Sequence, residues 1–80
     1  MLAKELLKGF DGFDDCIVVF RDDARHEIAR GHLRGIMQAV RKPEKCHDYT
    51  LNRLFNMEVQ ECHHDSMSLY EYLTLYVGRW

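Results

Sequence analysis

The sequence predicts a single α+β domain over residues 1–80, dominated by helices and carrying a short two-stranded sheet; an all-α arrangement is the alternative. Three observations predict this class. Residues 23–42, DARHEIARGHLRGIMQAVRK, hold apolar side chains at helical spacing and run up to a proline. Residues 16–20, CIVVF, are β-branched and apolar between acidic pairs, as a short buried strand is. Residues 49–60 alternate between apolar and polar side chains over much of their length, the pattern of a half-covered strand.

Taken in order, residues 2–8 (LAKELLK) read as a short amphipathic helix with Leu2 and Leu6 on one face. The stretch 9–15 (GFDGFDD) reads as a loop punctuated by Gly9 and Gly12, with Phe10 and Phe13 turned inward. Its carboxylates lack the alternating oxygen ligands and later glutamate of a calcium loop. The 16–20 strand follows, although Phe13, Ile17, Phe20 and Ala24 also keep helical spacing. For 23–42, Asp22 or Asp23 supplies an N-cap oxygen, and Pro43 disfavours helix at Lys42. Ala29, Leu33, Ile36 and Val40 form its inward face. Gly31 and Gly35 each cost a helix about 1 kcal/mol relative to alanine. Four residues apart beside Ala24, Ile28 and Ala39, they make a shallow strip suited to close backbone approach.

Residues 46–62 admit two readings, and the expectation is a helix at 48–55 capped by Asp48, then a strand at 57–62 pairing with 16–20. The stretch SMSLYEYLTLYVGRW places Ser68 and Glu71 in capping-box spacing, with Leu69, Tyr72, Leu73, Tyr76, Val77 and Trp80 on one helical face. Gly78 suits a helix C-cap. The Tyr, Thr and Val content serves a strand equally well. In both readings residues 69–80 are apolar on more than one side.

Composition narrows the function classes. The chain is 46% hydrophobic and 30% charged, with a net charge of −2 and no charged tail, which fits a globular domain. No apolar run reaches membrane-spanning length, no signal-peptide core is legible, and three irregularly spaced cysteines do not make a disulfide framework. A cytoplasmic location is expected.

Two stretches invite a metal or catalytic reading. Cys46-His47 and Cys62-His63-His64 are adjacent residues, which point apart on a helix and to opposite faces of a strand. Zinc prefers spaced pairs that converge. Cys62 and His64 share a face if 57–64 is a strand, and Cys46 or His47 with Asp65 completes a set only if the segments meet. His26-Glu27 begins the HExxH pattern, but Arg30 stands where its second histidine belongs. The chain shows no nucleophile elbow, phosphate loop or dinucleotide fingerprint. Neither a metal, a cofactor nor an enzymatic activity is expected.

What remains is binding. An element that is apolar on several sides must be covered, and tyrosine and tryptophan supply interface hot spots. The expected function is a non-enzymatic regulator, adaptor or inhibitor that docks onto itself as a homodimer or onto a larger protein. The expected contact residues are Gly31, Gly35, Tyr70, Tyr72, Leu75, Tyr76 and Trp80. The alternative is a small nucleic-acid-binding regulator that lays Arg30, Arg34, Arg41, Lys42 and Lys45 along phosphates. Against it stand the acidic clusters Asp11/Asp14/Asp15/Asp22/Asp23 and Glu58/Glu61/Asp65/Glu71.

Overall fold

The computed structural model describes residues 1–10, 15–66 and 69–80. Helix α1 (Ala3–Gly9) leads into β1 (Ile17–Arg21), β2 (Glu27–His32), α2 (Leu33–Arg41), a 3-10 turn (Pro43–Lys45), α3 (Tyr49–Phe55), β3 (Glu61–Ser66) and β4 (Glu71–Tyr76). The strands form one mixed sheet in the order β2-β1-β4-β3. Its central strands β1 and β4 run parallel, and its two edges are antiparallel to them. The class is α+β, but the expected helix dominance and two-stranded sheet are wrong, as is the all-α alternative. Helix and strand contribute comparable lengths, and the sheet has four strands.

The error originates at residues 23–42. Asp22, expected as a helix cap, instead accepts the Ala24 and His26 N–H groups at 2.9 and 2.8 Å inside a tight hairpin. A short acidic side chain captures free amides in either setting, so the residue alone does not distinguish the two. Arg25 takes φ 68°, the left-handed step that ends a three-residue hairpin loop. The chain then returns as β2, with Ala29 opposite Phe20 and Gly31 opposite Val18. The helix begins only at Leu33, whose N–H donates to the Cys16 carbonyl at 2.7 Å. Leu33, Ile36 and Val40 are its buried face.

Gly31 and Gly35 therefore do not form a strip on one helix. Gly31 lies in β2, where an added Cβ would sit 3.3 Å from Ile36 Cδ1. Gly35 lies in α2 with open space beyond it. Gly35→Ala is expected to stabilise the fold by about 0.5–1 kcal/mol, because it removes backbone entropy from the unfolded chain without a clash. Thermal unfolding checks it: a gain of this size raises Tm by roughly 2–8 °C in a domain of this length, and a lowered Tm contradicts it. Gly78 behaves oppositely. It caps no helix but holds φ 84°, and its added Cβ would meet Gln60 Nε2 at 2.6 Å.

Three other expected elements agree with the structure, and one does not. The 2–8 and 48–55 helices appear as α1 and α3, the latter capped by Asp48, which accepts the Leu51 N–H at 3.0 Å. The 16–20 strand appears as β1. The expected 57–62 strand does not pair with β1. Residues 57–59 instead bond to the N-terminal residues (Ala3 N–H to Met57 O and Val59 N–H to Met1 O, both 2.9 Å), and β3 starts at Glu61 and pairs with β4. β1 has no free edge to offer, since β2 and β4 occupy both sides. Gly12, Phe13 and Ser68, which the sequence reading placed in a loop and a capping box, lie outside the described residues.

All three helices share contacts with one core on one side of the sheet. Val18 and Phe20 from β1 and Leu73 and Leu75 from β4 meet Ala3 and Leu7 of α1, Leu33, Ile36 and Val40 of α2, and Leu54 and Phe55 of α3. The Phe20 and Phe55 rings pack edge to face with centroids 6.4 Å apart. Among the described residues no helix is long and apolar enough to cross a membrane.

Candidate functional site

Because strand side chains alternate, the residues between these core positions emerge on the opposite face, which the helices leave open. The register gives that face three rows. The first reads His32, Ile17, Tyr72, Asp65 across β2, β1, β4 and β3; the second Arg30, Val19, Thr74, His63; the third Glu27, Arg21, Tyr76, Glu61. The two central columns are aliphatic and aromatic except for Thr74 and Arg21, and the edge columns are charged or imidazole-bearing. Charge at the edges blunts strand-to-strand aggregation while leaving the centre available.

The long side chains of this face lean on one another. The Arg25 guanidinium lies 5.0 Å from the Tyr76 ring centroid and 3.9 Å from the Glu61 carboxylate. His63 meets Tyr76 edge to face at 5.7 Å and approaches Glu61 at 3.0 Å. Arg30 Nε sits 3.0 Å from both Glu27 carboxylate oxygens, and this hydrogen bonding holds the Glu27 carboxyl below the usual range. Val19, in the middle of this face, is only 3% exposed. Between these long side chains runs an open groove of about 500 Å³ lined by Val19, Arg21, Arg30, Asp65, Ser66, Tyr72 and Thr74. At its end Tyr70, 54% exposed, lies with its ring 6.4 Å from that of Tyr72.

The sequence-derived contact residues divide among five places. Tyr70, Tyr72 and Tyr76 gather at this open face. Leu75 has the opposite parity and is fully buried in the protein's own core. Gly31 looks towards Ile36, and Gly35 lies on the outer side of α2. Trp80 stacks elsewhere, with the Arg53 guanidinium 4.2 Å from its ring. Ile17, Val19, Thr74 and Arg21 complete the face and were missed, because their parity has meaning only once residues 71–76 are known to be a strand.

The basic stripe also divides. Arg30 belongs to β2 on the open face, whereas Arg34 and Arg41 are on α2 and Lys42 and Lys45 in its exit turn. The last three residues of that set line a separate groove of about 520 Å³ with Gly35, Gln38, Ala39 and Cys46.

The cysteine and histidine pairs do not converge: among the described residues no three His, Cys, Asp or Glu side chains are placed to hold a metal ion. His64 and Cys62 do share a face of β3, the helix side. There His64 Nε2 bonds the Glu71 carboxylate, and its ring meets Phe10 edge to face at 5.2 Å. Burial pushes the Cys16 thiol up to about 11, with the Glu71 and Asp15 carboxylates adding to the effect. With no exposed surface, this thiol packs in the core.

Comparison of the chain with protein-family models, curated proteins and solved structures gives no match.

Proposed function

We propose that this chain is a non-enzymatic protein-binding regulator that docks through the open face of its sheet. The observation that carries the reading is the helix-free side of the β1–β4 pair. There Ile17, Tyr72, Thr74 and Tyr76, all half-buried, form a largely apolar, ring-bearing centre around the buried Val19, inside a charged border. That arrangement of a core within a polar rim is how protein interfaces are built. Tyrosine contributes contact area with few rotatable bonds, so little entropy is lost when it is covered.

Thr74 is at the centre of the face and Thr74→Arg is the test. On this half-covered face the substitution should cost about 1 kcal/mol or less while placing a charge in the middle of the docked area. Light scattering should then show loss of assembly, or affinity purification from the native host should show loss of the proteins that the wild type retains. Unchanged mass together with an unchanged set of retained proteins would sink the reading.

A second reading is favoured by the α2 groove, where Arg41, Lys42 and Lys45 cluster with no carboxylate in ion-pair contact among the described residues. Such a cluster suits phosphates. Each phosphate neutralised contributes about 0.9 to the slope of log affinity against log salt on duplex DNA. Replacing all three with Gln should flatten that slope by roughly 2–3, and affinity indifferent to salt dismisses nucleic acid.

A further inference from the structure

We propose that the occupant of the open face is a second copy of this chain, stacked sheet on sheet about a two-fold axis parallel to the strands. This rests on the docking reading above and adds the identity and geometry of the partner. Closed two-fold pairing is the commonest way for a chain to cover its own surface. Packed sheets lie about 10 Å apart with strands within about 30° of alignment. With the strands aligned and the two sheets centred on one another, two such two-fold stackings remain, one with its axis along the strands and one with its axis across them.

The charges choose between them. With the axis across the strands, each strand meets its own counterpart reversed. Arg30 would face Arg30 of the second copy, and Asp65 would face Glu61. With the axis along the strands, β2 meets β3 and β1 meets β4. His32 then faces Asp65, Ile17 faces Tyr72, Val19 faces Thr74 and Arg21 faces Tyr76. Arg30 faces His63, with Glu61 and Asp65 diagonal to it on either side. The β2–β1 half carries Arg21 and Arg30 against Glu27, whereas the β4–β3 half carries Glu61 and Asp65. Opposite fields therefore meet. One kind of like-charged contact remains, Glu27 against Glu61, made twice across the two-fold axis, and each already has an arginine of its own chain, Arg30 and Arg25.

Arg30 and His63 provide the test, because both side chains are half exposed and three strand spacings, roughly 14 Å, separate them within one chain. A short bis-maleimide link between cysteines at these two positions therefore joins two copies and not one, and it spans the roughly 10 Å between packed sheets that a disulfide cannot. In a Cys46→Ser/Cys62→Ser background, the doubly substituted R30C/H63C chain should cross-link to dimers in high yield, and each single variant should not. Asp65→Arg should weaken dimerisation by about tenfold, near 1.4 kcal/mol, and His32→Asp added to it should recover most of that loss. Self-cross-linking of R30C alone would assign the other axis and overturn the proposal. A wild type that sediments as a monomer at every accessible concentration would also overturn it. If Thr74→Arg then still abolishes capture of a different protein, docking through this face survives with another partner.

Discussion

Leu75→Ala is expected to unfold a substantial part of the population, a larger effect than any loss of docking. Leu75 sits on β4 between Phe20 of β1 and Cys62 of β3, facing the helices, with no exposed surface. Truncating a buried leucine removes its transfer free energy and leaves a cavity, together about 2–5 kcal/mol. A domain of this length holds only about 4–12 kcal/mol in total, so the change consumes a large share of it. The neighbouring Thr74→Ala, one residue away on the open face, should cost about 1 kcal/mol or less. Urea unfolding of the two variants side by side checks the parity of β4. Equal losses would mean that Leu75 is not a core residue and that the two faces are misassigned.

His64→Ala is expected to have the second-largest effect. Glu71 shares the helix-facing parity of Leu73 and Leu75 and is only 8% exposed. Its carboxylate bonds His64, which reaches it from the neighbouring strand and is braced by Phe10. Removing the imidazole leaves a nearly buried carboxylate without that partner, a loss of about 1–3 kcal/mol. Replacing both residues together, His64→Leu with Glu71→Leu, removes the polar demand along with its satisfaction and should return stability close to wild type. A double-mutant cycle by urea unfolding measures the coupling, expected at about 0.5–3 kcal/mol. Strictly additive losses would show that the pair is not a unit. The same pairing separates the two histidines of the CHHD stretch: His64 is turned to the core side and bonded to Glu71, while His63 is on the other face with Tyr76.

The residues that act locally were legible from the chain alone. The Asp48 cap, the short helices α1 and α3, and the apolar run of β1 depend on spacing and propensity within a few neighbours, and each is where those rules place it. The aromatic wealth of residues 70–80 was legible too, and three of its tyrosines do reach a shared face. Its direction was not, since the same letters satisfy a helical stripe and a strand alternation until pairing chooses.

What the sequence determined by itself is the inventory: an α+β chain with one strongly apolar strand, two short helices of which one is capped by Asp48, and a tyrosine-rich end. Tertiary structure alone decided that residues 27–32 turn back as a strand, that β4 enters parallel to β1, and that Leu75 goes in while Thr74 and Tyr76 stay out. The physical reason is that strand partners are remote in sequence. The ladder that holds Ile17 beside Tyr72 fixes parity for both strands at once, and no local window contains both.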